Sequence, residues 1–339
     1  MAYTATVLDE YRQKASNLDL HELRLSNYGA YNAFVTDRPN LIPQYDEFVR
    51  NKVSALRTAS LVVQDHIHFT TSATRSCSAK TEQGTSHFAT PSWTTIETGF
   101  HLAPAEHEGN YVSYQRAMDV NLLNIERAFL AAVDTAAVAA LEANKSAVHA
   151  EDGNPFAIAG NDIQVPAADN PLYLNELGSI MLANDYPGDM LNIVASVRFR
   201  ALVNQYGAQG TGNAVNYAFQ FPGYTFGYTP RVIPGAGDRD IVYAMPIGSL
   251  AYLSWVDIDA RQGNKSTSGV EWSEELLPRL GHNVGVLYQS ACADVHSRLT
   301  GLDASLSESW MFSFDYSFVT SYILAGGATP IFKADLSLT

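Results

Sequence analysis

Two imidazoles raise the question of chemistry first. In "VVQDHIHFTT", His66 and His68 stand two residues apart. In a strand, side chains at i and i+2 share a face, so this pair could hold one zinc ion. A catalytic zinc also needs a third protein ligand and an open position for water. The later histidines His149, His282 and His296 do not follow apolar strands in a repeating β–α pattern. Two polar residues on the wet face of a strand is the plainer reading. No metal, cofactor or catalytic residue is assigned, and a metal-dependent hydrolase using His66 and His68 is kept as an alternative from another class.

Other candidates fail on spacing. The His-x-His is similar to the pair that opens amidohydrolase barrels, but those barrels need further His, Lys and Asp ligands at later strand ends. "GAQGTGNAV" carries Gly207, Gly210 and Gly212 after a helical pattern, whereas a dinucleotide fingerprint follows a strand and opens a helix. In "QGNKST", Asn264 separates Gly263 from Lys265 and the leading glycine of a phosphate loop is missing. "RSCSAK" sets Cys77 between Arg75 and Lys80, cations that can lower a thiol pKa. With no base and no helix start beside it, Cys77 reads as a small packing residue. Cys77 and Cys292 lie far apart and form no CxxC pair, so two free thiols are expected.

Chemistry gives little, and the elements give more. "YQRAMDVNLLNIERAFLAAVDTAAVAALEANKS", residues 114–146, has neither Gly nor Pro. Met118, Leu122, Ile125, Phe129, Val133, Ala136 and Ala140 recur at three- and four-residue steps, which predicts one long helix with a single apolar stripe. Before it, "SLVVQDHIHFTT" alternates with period two and reads as a strand. A Ser/Thr-rich stretch follows, with Ile96, Phe100 and Leu102 on one face of its second flank. The two flanks predict a long hairpin, and a lone two-stranded hairpin is marginal in water, so it must rest on a neighbour. The first ~55 residues lack a continuous apolar pattern and read as an arm lying on something else. From Pro171 the pattern becomes α/β, with helices at "LYLNELGSIMLAND" and "RFRALVNQYG" around a strand "MLNIVASV", and strands dominate afterwards. "ARQGNKSTSGVEWSEELLPRLG" reads as a polar insertion. The fold class is α+β.

The chain has 339 residues and a formal net charge of −14, with 46% hydrophobic and 17% charged residues. That supports a sizeable core and argues against a nucleic-acid groove, which needs clustered Lys and Arg. "MAYTATVLDEYRQKAS" has no apolar core of signal-peptide length and no window has the length of a membrane span, so neither secretion nor membrane contact is expected.

The order of arm, hairpin, very long helix, α/β region and returning strand resembles the major capsid proteins of tailed double-stranded DNA bacteriophages, a Hong-Kong-97-type fold, in a podovirus-like group. "TRSCSAK", "TPSWTTIETGFHLAP" and "YVSYQ" resemble the extended loop and its return, and "ERAFLAAVDTAAVAALEANKSAV" the spine helix. "MLNIVASVRFRALVNQYGAQGTGNAVNYAFQF" resembles the start of the axial domain and "TPIFKADLS" the final strand. The resemblance implies an N-terminal arm at 1–55, an extended loop at 73–111 and an axial domain at 171–305. The peripheral domain would take 56–72, 112–170 and 306–339. It implies pentamers and hexamers closing into an icosahedral shell around DNA bound without sequence specificity, in the virion, after assembly in the host cytoplasm. It leaves room for scaffolding, portal and decoration proteins as further partners. Trp93 and Phe100 in the hairpin and Tyr28 and Tyr31 in the arm are the candidate inter-subunit contacts, with ordinary packing inside the chain as the alternative. Lys80 has no recognisable partner motif for the Lys–Asn cross-link that some such proteins form, and no cross-link is assigned. An encapsulin-like compartment shell, which shares the fold, is the second reading.

Overall fold

The computed structural model describes residues 3–17, 28–42, 61–64, 71, 73–75, 77, 86–89, 91–107, 110–146, 154–209, 223–256, 270–293, 305–320 and 329–338. Two helices come first, α1 (Tyr3–Asn17) and α2 (Gly29–Leu41). Strands β1 (Leu61–Gln64) and β2 (Ser86–Ala89) pair antiparallel with each other as a two-stranded sheet. Strand β3 (Thr94–Leu102) and a 3-10 turn (Pro104–His107) lead into α3 (Tyr111–Ala143).

Helix α3 has 33 residues, a rod of about 50 Å at 1.5 Å per residue. It starts three residues before the sequence pattern predicts because Asn110 caps it, its side chain accepting from the Ser113 N–H at 3.0 Å. Met118, Leu122, Ile125, Phe129 and Val133 are buried as their spacing requires. Further along, Ala137 and Leu141 are fully buried while Ala136 and Ala140 are only partly so. Steps of 3.6 residues drift slowly around a straight helix, so the stripe moves by one position.

The stripe lies on a five-stranded antiparallel sheet of β10 (Val270–Leu277), β11 (His282–Ala293), β12 (Ser305–Thr320) and β3 in that order, with β9 (Leu250–Trp255) pairing the far half of β12. β12 explains the layering by its alternation. Trp310, Phe312, Phe314 and Tyr316 enter the core with α3, while Ser309, Met311, Ser313 and Asp315 take the opposite face.

A second, six-stranded sheet runs β4 (Ala157–Ala159), β5 (Asp162–Val165), β13 (Phe332–Ser337), β8 (Asp238–Pro246), β6 (Leu191–Ser196), β7 (Tyr224–Thr229). Helices α4 (Tyr173–Ala183) and α5 (Phe199–Gln209) share its core through Leu177, Ile180, Phe199 and Leu202. β6 and β7 are parallel, with α5 in the connection between them.

The sheets cut across the boundaries drawn from sequence. Residues 250–293, placed with 171–305, supply strands to the sheet under α3. β13, placed in 306–339 with the long helix, completes the six-stranded sheet between β5 and β8. The stretch read as a polar insertion contains β10. Pairing between segments so far apart in sequence leaves no local periodic trace.

Candidate assembly surface

β3 is the returning flank of the expected hairpin, and its pleat agrees with the sequence. Ile96 and Phe100 pack on the core and Leu102 is buried. Its hydrogen-bonded partner, however, is β12, from Leu102↔Glu308 to Thr94↔Tyr316, and β1 pairs with β2. The flank therefore belongs to the body's sheet. Among the described residues no strand pairs its other edge, and the N–H and C=O groups that alternate residues turn to that edge form a template for another strand. A shallow groove of about 380 Å³ lies over β3 and its partner β12, lined by Glu97, Gly99, Phe100, His101, Trp310 and Met311. Gly99 is required there, since a Cβ would meet the Trp310 carbonyl oxygen at 2.5 Å.

The four candidate contact residues divide into two pairs. Phe100 is half-buried and stacks on Trp310 and Phe312, with centroids 6.2 and 6.1 Å away. Trp93 is also half-buried, edge-on to Trp255 at 5.8 Å and beside the small cluster of Ala251, Leu253 and Val319. Both keep some area exposed on the β3 side of the molecule. Tyr28 and Tyr31 do not, being 8% and 2% exposed. The Tyr31 hydroxyl donates to the Leu280 carbonyl at 2.5 Å, and the Arg231 guanidinium lies 5.0 Å over the Tyr28 ring. These tyrosines anchor α2 within its own chain. The arm expected to lie on something else lies, in its described parts, on the chain's own body, α1 against the long helix and β10, and α2 against the long helix, β7 and β9. His66 and His68 fall outside the described residues, as does Lys80. Among the described residues no group of three or more His, Cys, Asp or Glu is placed to hold a metal ion. Cys77 is an exposed free thiol.

The sequence reading missed what fastens the arm. Three carboxylates on α3, eight residues apart, each bind distant parts of the chain. Glu126 accepts from the Tyr11 hydroxyl of α1 at 2.7 Å and from the Arg279 backbone N–H at 3.1 Å. Asp134 accepts from the Tyr31 N–H at 2.9 Å and from the Thr229 hydroxyl at 2.5 Å, with Arg231 at 3.3 Å. It thereby caps α2 from another helix, where Tyr28 makes no side-chain cap. Glu142 accepts from the Tyr243 hydroxyl at 2.5 Å and from Lys145 at 2.9 Å. Burial pushes the pKa of Glu126 and Asp134 up, against their hydrogen bonds and arginines. At the more exposed Glu142 burial acts the same way, but the bonds from Tyr243 and Lys145 and the charge of Lys333 outweigh it and lower the pKa.

The far end of α2 is held by Asp37, whose carboxylate accepts from three consecutive N–H groups, of Gly248, Ser249 and Leu250, at 2.6, 2.8 and 2.8 Å. The near end packs backbone to backbone on β7. A Cβ at Gly29 would sit 2.3 Å from the Tyr228 nitrogen, and one at Gly227 2.6 Å from the Gly29 oxygen. Only paired glycines allow that approach.

No protein-family model matches the chain, and no curated protein is similar enough in sequence to count as a relative. Solved structures do match in fold. A chain of the cyanophage A-1(L) capsid asymmetric unit superposes with a TM-score of 0.50 at 12% identity, covering 93% of this chain and 94% of that one. A chain from Mycobacterium phage Bobi covers 95% and 94% at 12% identity with a TM-score of 0.47. One from the capsid of Ralstonia phage GP4 covers 84% of each chain at 8% identity and 0.42. The cyanophage match runs nearly end to end, so the α+β fold of this chain is a phage capsid fold.

Proposed function

We infer that this chain is the major capsid subunit of a tailed double-stranded DNA phage, building an icosahedral shell from copies of itself. The observation that carries this is the end-to-end likeness to the cyanophage A-1(L) capsid chain, 93% of one and 94% of the other. A fold can host other functions, and the physical character of the surface supports this one. The nine-residue edge of β3 has neither the proline nor the lysine with which isolated proteins blunt such an edge. Half-buried Trp93 and Phe100 lie beside it.

In this reading the role is structural, with no catalytic step. The six-stranded sheet with α4 and α5 faces the centres of pentamers and hexamers, and α3 on the five-stranded sheet stiffens the plate between them. The β3 edge, Trp93 and Phe100 meet a neighbouring copy, and DNA is enclosed without sequence readout. The site of action is the virion. Analytical ultracentrifugation and negative-stain microscopy of the purified chain test it. Closed shells, or rings that convert to shells, are expected. A chain that stays monomeric over the whole accessible concentration range would overturn the reading, and shells found loaded with a co-purifying enzyme and no nucleic acid would replace it with a compartment shell.

A further inference from the structure

The two ends of β6 carry opposite charge and matching apolar residues. Before the strand, α4 ends in a tight turn, with the Tyr186 N–H donating to the Met181 carbonyl at 3.0 Å. Leu182 and Met190 stand out from this turn 60% and 55% exposed, with Asp185 and Asp189 exposed between them. No lysine or arginine occurs from 182 to 190.

After the strand come Val197, 51% exposed, and the exposed Arg198 and Arg200 at the start of α5. β7 and β8 flank β6 on its two sides, so the 230–237 loop joining them crosses the end of β6. That loop brings Ile233, 77% exposed, to the same corner. Arg239 follows on β8, 3.4 Å from the buried Asp240. Arg198 and Arg200 make no ion pair among the described residues, although the charge of Arg198 reaches Asp240 and favours its ionised form. Against Arg198, Arg200 and Arg239 this corner carries Asp238 and the buried Asp240, so it is net positive by one in a chain of net charge −14.

Exposed valine and isoleucine beside guanidinium groups suit a protein partner better than a phosphate backbone, which would leave the aliphatic groups wet. The complementary surface, aspartates around leucine and methionine, exists on the same chain about 20 Å away, the length of a six-residue strand. A patch and its complement at different places on one molecule make a head-to-tail contact, and such contacts close into rings when the rotation permits.

We propose that the two ends of β6 are the halves of one contact between copies of this chain, the Arg198 corner of one subunit seating on the Asp189 corner of the next. This rests on the shell reading above and adds which surfaces meet within a ring.

The experiment uses the full chain and three variants: Arg198→Glu, Asp189→Arg, and both together. Circular dichroism and melting check that each is folded. Each single swap places like charges in the contact, and the subunit concentration at half assembly, followed by light scattering and sedimentation, is expected to rise at least tenfold. The combined variant restores opposite charges and is expected within threefold of the parent. Single swaps that assemble like the parent, or a folded combined variant no better than the singles, overturn the contact. Shells that form normally with Arg198→Glu but retain less double-stranded DNA overturn it too, and assign the corner to phosphate. If the parent chain itself never assembles, the shell reading falls with it, so the two failures are distinct.

Discussion

Asp134 shows what one residue does in this fold. It is fully buried, and its partners Tyr31 and Thr229 lie 103 and 95 residues away in sequence. Asp134→Ala removes the cap of α2 and leaves Thr229 without its acceptor, while Arg231 is near enough to the surface to find water. The expected loss is about 2–4 kcal/mol of unfolding free energy, read by urea denaturation. An effect under about 0.5 kcal/mol, the usual scale of a surface change, would contradict this. Nothing in "AAVDTAAV" announces such a role, because a carboxylate within an alanine-rich helix reads as a solvated residue until its partners are known. His282 carries a second prediction. The Tyr252 hydroxyl donates to its Nε2 at 2.9 Å, and its Nδ1–H donates to the Asn283 carbonyl at 2.9 Å. Burial, reinforced by the charge of Arg38, lowers its pKa from 6.5 to about 4. Above the ordinary value the ring is neutral in both states. As pH falls from 6.5 toward 4 the unfolded chain takes up a proton that the folded chain refuses, so stability is lost in that window. The raised pKa values of Glu126 and Asp134 act in the opposite sense, since there the folded state takes up protons first. Comparing the parent with His282→Gln isolates the imidazole. The stability difference between them should shift steadily against the parent as the pH falls through this window, and a constant difference would show that His282 does not titrate as described.

At the scale of elements, apolar periodicity decides what the sequence discloses. α3 and β6 are readable because each satisfies its core with its own residues, and so is the inward face of β3. The partners of β3 and β13 are not readable, since a strand's alternation fixes which face is buried and says nothing of which distant segment lies beside it. β10 was hidden for a related reason. "VEWSEELL" alternates, but its glutamates give it the look of a loop, and one of them, Glu275, is nearly buried because it meets Arg12 of α1 at 2.7 Å. α1 is likewise weakly written, with only Leu8 and Tyr11 fully buried among its described side chains and Val7 partly so. The buried Tyr11–Glu126 hydrogen bond, the ion pairs Lys14–Asp119 at 2.9 Å and Arg12–Glu275, and the Gln115–Glu10 hydrogen bond at 2.9 Å supply the rest. Partly exposed ion pairs of this kind contribute little each and are screened by salt. α1 is therefore expected to open before the long helix and the sheets beneath it. In hydrogen-exchange mass spectrometry, Leu8→Ala is expected to remove protection from residues 3–17 while β6 stays protected, and rising sodium chloride should move the parent the same way. Loss of protection in β6 together with α1 would show instead that the helix is part of the cooperative core.

For the whole molecule, two electrostatic effects of different range oppose each other. The net charge of −14 makes every copy repel every other. That repulsion acts over the Debye length, roughly 30 Å at 0.01 M salt and roughly 3 Å at 1 M. The attraction between the arginine and aspartate ends of β6 acts at contact, where its onset is governed by short distances and its screening comes later. Adding salt first removes the long-range repulsion and then weakens the local attraction, so the assembled fraction should rise, pass through a maximum and fall. Neutralising the contact with Arg198→Gln and Asp189→Asn removes the term that high salt weakens and barely alters the net charge. For that variant assembly should be weaker throughout and should climb with salt without the later fall, because apolar burial around Leu182 and Ile233 is what remains and salting-out strengthens it. Light scattering across a salt series on parent and variant separates the two effects. A parent curve that only falls from low salt would mean that the −14 charge does not limit association, and a variant that keeps the high-salt fall would place the salt-sensitive contact elsewhere on the molecule.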